Sequence, residues 1–152
     1  MNRLAAEWIG TVFYIGKLPL APGTWASIFA VLCWYFLFQS VNHFLLPAIS
    51  IFLFLIGGIA SDTIVKHSKE HDPSRIVIDE WVGQWVALSM MPINIRTGVV
   101  AFVAFRIFDI IKPWPIRWLD KNVSGGFGVM IDDVLAGLMA FACLQIAAII
   151  IY

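Results

Sequence analysis

The sequence predicts an all-α fold: a polytopic membrane helical bundle of about four to five membrane helices plus an N-terminal amphipathic segment, forming one domain over residues 1–152. Three observations carry this. Hydrophobic residues make up 61% of the chain and charged ones only 13%, against roughly 25% in soluble domains. Mean hydropathy is +0.86. The charges, ten basic and ten acidic with no net sum, gather in short stretches between apolar runs. A zero net charge leaves no global field to attract nucleic acid or an acidic partner, so position matters here rather than total.

Met1 to Gly16 mixes Arg3 and Glu7 with Trp8, Phe13 and Tyr14, which reads as an interfacial amphipathic helix rather than a secretory signal. The breaker-rich loop Lys17 to Gly23 follows. Thr24 is then expected to cap a helix, with Ser27 three residues on, so that free amides and two hydroxyls form a possible anion seat. A plain cap explains the same residues. A first span is expected from about Trp25 to Phe38, a turn at Gln39 to His43, and a second span from about Phe44 to Ile64, with Asp62 in its last turn. The polar loop beyond it carries Lys66, His67, Lys69, Glu70, His71, Asp72 and Arg75. His43, His67 and His71 make no convincing ligand set.

Asp79 and Glu80 open the next apolar stretch, expected to continue to Met91. The helix dipole favours acids at this position, yet two adjacent carboxylates entering a membrane segment are costly unless something cationic faces them. After a turn at Pro92 to Arg96, Thr97 to Ile111 reads as another helix, stopped by Pro113. Each of these two helices has about 15 residues, or about 22 Å against a core of about 30 Å, which leaves open whether the hairpin crosses fully. Trp114 and Trp118 suit an interface. A final helix is expected from about Met130 to Tyr152. Cys33 and Cys143 lie in apolar runs without a CxxC or Cys/His spacing, and read as packing residues.

Counting crossings from a cytoplasmic N-terminus places every cation except Arg96 on the cytoplasmic side, as the positive-inside rule prefers. The same count brings Asp62, Asp79, Glu80, Asp109, Asp132 and Asp133 to cytoplasmic helix ends. Arg106 and Asp109, at i, i+3, share a face, with Lys112 one turn on. Gly83 lies four residues after Asp79, and Gly137 four after Asp133; small residues there let helices approach around the acids. Several carboxylates at one level repel unless a divalent cation joins them, and an all-oxygen set selects Mg²⁺ or Mn²⁺ over zinc. Arg106, Lys112 and Arg117 supply the cations a phosphate needs. Metal and phosphate grip at headgroup level imply chemistry on a phospholipid headgroup, with transfer and hydrolysis both open.

Four stretches bring a family into view: Pro22-Gly23-Thr24-x-x-Ser27, Val77-x-Asp79-Glu80-x-x-Gly83, Phe105-Arg106-x-x-Asp109-x-x-Lys112-Pro113-x-Pro115-Ile116, and Asp120 through Gly125-Gly126-x-Gly128-x-Met130-x-Asp132-Asp133-x-x-Ala136-Gly137. In these the chain resembles the bacterial phosphatidylglycerophosphatase A family; Ala26 departs from the Gly expected there. The resemblance implies a Mg²⁺-dependent phosphatase, multi-pass in the bacterial inner membrane with its site at the cytoplasmic face. Its substrate would be phosphatidylglycerophosphate, and its products phosphatidylglycerol and inorganic phosphate. Asp79, Glu80, Asp109, Asp132 and Asp133 are the expected metal ligands, with Asp79, Glu80, Asp109 and Asp133 catalytic and Glu80 the candidate base. Thr24, Ser27, Arg106, Lys112 and Arg117 are the expected phosphate contacts. No nucleic-acid partner is expected, and the oligomeric state is not legible.

Two other classes fit parts of this pattern. A CDP-alcohol phosphotransferase also holds metal on membrane aspartates, but its Asp-Gly-x-x-Ala-Arg pattern is missing. A small divalent-cation carrier needs only intramembrane carboxylates, and would place them near the midplane rather than at one face. Neither cysteine is followed six residues later by Arg, which argues against a cysteine-phosphatase loop.

Overall fold

The computed structural model describes residues 1–42, 44–68 and 73–151. His43, Lys69, Glu70, His71, Asp72 and Tyr152 lie outside them, so the expectations placed on those residues do too. The described residues form helices and no strand. In order they are α1 (Arg3–Gly10), a 3-10 turn (Ile15–Lys17), α2 (Pro22–Leu37), α3 (Leu45–His67), α4 (Ile78–Ala87), α5 (Ile95–Ile111), α6 (Ile116–Asn122) and α7 (Gly126–Ile151).

Two of these, α3 and the stretch Gly126–Ala148 of α7, are long and apolar enough to cross a membrane; α2 is apolar but shorter. Several boundaries differ from expectation for physical reasons. α2 starts at Pro22, because proline lacks only an N–H that the first turn leaves unpaired and has its φ already set. Thr24 is therefore the third helical residue and not a cap; Ala21 occupies the cap position without a side-chain bond. α3 runs on to His67, so Asp62 sits inside the helix and pairs with Lys66, one turn on, at 2.5 Å. α4 stops at Ala87 rather than Met91. Its 10 residues reach only about 15 Å, and the chain turns out of it through Met90, whose φ is +58°. α7 begins at Gly126, four residues early, which puts Asp132 and Asp133 two turns inside it. Between α5 and α7 the chain forms the short helix α6, which carries Trp118.

α7 is the central element, packed against α3, α4, α5 and α6, while α2 covers the other side of α4. Trp85 ties α4 to α2 by donating from Nε1 to the Ala30 carbonyl at 2.9 Å. The core around these helices holds Trp34, Val82, Leu88, Phe105, Ile116 and Met130, each 1% exposed or less. Glycine sets the closest approach. A Cβ on Gly83 would lie 2.6 Å from the Asp133 carbonyl oxygen, and one on Gly137 would strike the Gly83 carbonyl. Thus α4 and α7 touch backbone to backbone beside the acids, as the spacing predicts.

α1 is amphipathic, capped by Asn2 through a 2.8 Å bond from the Ala5 amide, and lies on α3. The Val77 amide donates to the Gly10 carbonyl at 2.9 Å, and Arg75 pairs with Glu7 at 3.2 Å. The N-terminal segment is thereby fastened to the residues that lead into α4.

Candidate active site

The starts of α2, α4 and α7 and the end of α5 meet at one end of the bundle. α4 delivers Asp79 and Glu80 in its first turn; α7 delivers Asp132 and Asp133. One oxygen from each of Asp79, Glu80 and Asp133 lies within 4.8 Å of the others, a grouping able to hold a metal ion. Asp109, from the last turn of α5, stands beside Asp133 and Glu80. Its carboxylate meets Arg106 Nη1 at 2.6 Å, the i, i+3 pair the spacing predicts. α2 closes the group from above: a Cβ on Gly23 would collide with the Glu80 carboxylate and come 3.3 Å from Arg106 Nη1. Only glycine lets the helix start come this close.

Adjacent residues on α7 point to different neighbours, since one residue step turns a helix through about 100°. Asp133 joins the carboxylate group, while Asp132 joins Lys112. The Lys112 ammonium sits between Asp120 and Asp132, 2.6 Å from each. Burial opposes its charge, but the bonds to Asp120 and Asp132 outweigh that and hold its pKa above the ordinary lysine value. It stays charged through neutral pH. A cavity of about 60 Å³ lined by Asp79, Asp120, Ser124, Gly125 and Asp132 adjoins this pair, and Gly125 turns into it at φ +82°.

Buried polar atoms almost always find a partner, so exceptions are informative. Asp79 Oδ1, Glu80 Oε2, Asp132 Oδ1 and Asp133 Oδ2 are buried with no hydrogen-bond partner. Four orphaned carboxylate oxygens at one place are an all-oxygen donor set, and their chemistry suits a hard divalent cation. Gln84, one turn below Glu80, is also fully buried with neither amide atom partnered. Sequence reading passed over it; the signal was a polar residue in an apolar helix, four residues from an acid. Asp120 was given no site role from sequence, yet it stands against Lys112.

The remaining expected phosphate contacts are arranged differently. Ser27 is buried and donates to the Gly23 carbonyl at 3.0 Å, so its hydroxyl is turned back onto its own helix, while Thr24 lies in the first turn of α2. Arg117 is exposed and donates to the Ile111 carbonyl at 3.2 Å; among the described residues it makes no ion pair. Lys112 is already held by two carboxylates. Arg106 alone of the expected cations reaches the acid group.

Residues 8–148 match the family described as Phosphatidylglycerophosphatase A. The chain is 41% identical over 145 residues to the phosphatidylglycerophosphatase A of Escherichia coli (strain K12), covering 91% of this chain and 81% of that protein. It is 36% identical over 129 residues to the Haemophilus influenzae protein of the same name, covering 84% and 79%. A Bacteroides thetaiotaomicron relative, provisionally named a phosphatidylinositol-3-phosphatase, is 41% identical over 145 residues, covering 91% of each chain. No solved structure matches. With the motifs of the sequence gathered at one end of the bundle and the match running through nearly its whole length, the chain belongs to the phosphatidylglycerophosphatase A family.

Proposed function

We propose that this chain hydrolyses the terminal phosphomonoester of phosphatidylglycerophosphate, giving phosphatidylglycerol and inorganic phosphate, with Mg²⁺ as cofactor. The observation that carries the reading is the Asp79, Glu80 and Asp133 oxygens within 4.8 Å of one another, orphaned and buried, with the Arg106 guanidinium beside them.

Asp79, Glu80 and Asp133 would hold the ion, with Asp109 and Asp132 as further ligands. Bound there, Mg²⁺ would neutralise phosphoryl charge and acidify water. Asp109 fixes the Arg106 guanidinium, which donates to the phosphoryl oxygens as charge shifts onto them. Where Glu80 stays off the ion it is our candidate base: it takes the proton of the attacking water while the oxygen forms the new P–O bond. The P–O bond to the glycerol breaks, and the alkoxide takes its proton from solvent at the membrane face. Lys112 keeps the Asp132 carboxylate in place.

For the membrane arrangement we propose that α2 and α5 cross beside α3 and α7 while α4 enters half way, five membrane helices in all. The 16 and 17 residues of α2 and α5 reach about 24–26 Å, a mismatch that a locally thinned bilayer absorbs. Lys66, Arg75, Arg106, Lys112 and Lys121 near the site end support a cytoplasmic face.

The test is release of inorganic phosphate by the purified protein from phosphatidylglycerophosphate, with Mg²⁺ and with chelator, and from phosphatidylinositol 3-phosphate in parallel. Mg²⁺-dependent release from the first lipid is expected. Turnover of the second lipid alone would move the substrate, and turnover undiminished by chelator would remove the metal.

A further inference from the structure

Two apolar grooves run along the outside of the bundle at membrane depth. One, about 390 Å³, lies between α2 and α5 and is lined by Ile28, Leu32 and Tyr35 on one side and Gly98, Val99 and Phe102 on the other. The second, about 430 Å³, is lined by Ile51 and Phe54 of α3, Val82 and Val86 of α4, and Val134 and Leu138 of α7. Both volumes fall in the range of roughly 300–1,000 Å³ that suits a small-molecule ligand.

What stands above each groove separates them. Ile28 lies four residues after Thr24 and Phe102 four before Arg106, so on both helices the top of the first groove is one turn beneath the site. Gly23 and Arg106 bring α2 and α5 together there. The second groove also begins about one turn from the acids, at Val82 and Val134, but apolar side chains stand at its head. Ile78 and Met130, 4% and 0% exposed, meet over Gly57, where both would crowd a Cβ. The Phe54 and Phe127 rings, 5.7 Å apart, complete that lid.

We infer that the α2–α5 groove holds an acyl chain of the lipid whose phosphate lies under Arg106, and so sets how deeply the headgroup sits against the carboxylates. This rests on the lipid-phosphatase reading above. The groove is almost free of polar surface and leads to Arg106, the cation beside Asp109 and Glu80, which is the layout a charged headgroup with a hydrocarbon tail requires. The occupant is a substrate chain rather than bulk lipid because the headgroup end is built into the same two helices.

Leu32→Trp and Val99→Trp fill this groove from positions 43% and 56% exposed, and Ile51→Trp fills the other from a position 64% exposed. Rates are compared on dihexadecanoyl and dihexanoyl phosphatidylglycerophosphate in detergent micelles with Mg²⁺. Leu32→Trp and Val99→Trp are expected to lower kcat/KM on the long-chain form roughly tenfold, the loss of about two buried methylenes, and to leave the short-chain form and Ile51→Trp unchanged. An equal fall on both chain lengths, or an equal loss in Ile51→Trp, overturns the inference. A second measurement does not need turnover: a phosphatidylglycerophosphate with a diazirine at its acyl tail is photolysed on the wild-type protein and the adducts are mapped. Adducts on residues 28–36 and 95–102 support the groove, and adducts confined to α3 and α7 overturn it. Absence of phosphate release by wild type from either form would overturn the proposed activity, and the adduct map would still decide the groove.

Discussion

Asp133 and Asp132 are neighbours in sequence, yet they belong to two groups that differ in the one respect that matters for function. Asp133 joins Asp79 and Glu80 in a cluster whose oxygens are left unpartnered. Asp132 shares the Lys112 ammonium with Asp120, two bonds of 2.6 Å. Acids that repel one another inside protein are retained only where something else completes them. Three orphaned oxygens are thus gathered where one cation could bridge them, whereas Asp132 has one oxygen on Lys112 and only the other unpartnered. A charge count alone would have ranked them equal.

The largest expected effect breaks the first group. Asp133→Asn should lower phosphate release about 10³-fold, or about 4 kcal/mol of barrier, with the thermal midpoint retained because an uncompensated like charge is removed. Full activity in that variant would make the two groups equivalent. Next, Mg²⁺ at about 100 times its dissociation constant should stabilise wild type by about 2.7 kcal/mol, and Asp133→Asn far less, read as thermal unfolding with and without the ion. Lys112→Met should then unfold the second group. Asp132 loses its partner at a cost of about 1–3 kcal/mol, and adding Asp132→Leu should restore much of the midpoint without restoring full activity. Gly83→Ala places a methyl 2.6 Å from the Asp133 carbonyl, and should cost about 1–3 kcal/mol with a lower rate as α4 and α7 part. Smallest is Arg117→Ala: stability within about 0.5 kcal/mol and an unchanged rate, since that side chain reaches only the Ile111 carbonyl.

Much of the site was legible in the residues because the signals were local. Arg106 and Asp109 share a face at any helical spacing, and Gly83 and Gly137 mark a close crossing whatever the rest of the chain does. The errors fell where one residue type serves two physical roles. Pro22 reads as a breaker but opens α2, and that shift turned Thr24 from a cap into a helical residue. Gly126 and Gly128 read as loop, but α3 packs against their backbone; a Cβ on Gly126 would strike Asp62 and Gly58 main-chain atoms. Leu88 to Met91 is apolar enough to continue α4, and only the turn at Met90 ends it. The pairing of Lys112 with Asp120 had no sequence signal, since it depends on how the chain doubles back through Pro113 and Pro115.

The bond from the Val77 amide to the Gly10 carbonyl, with the Arg75–Glu7 bridge beside it, has a mechanical consequence. Asp79 stands two residues past that anchor, so where the first helix lies helps fix where α4 begins and its two acids enter the bundle.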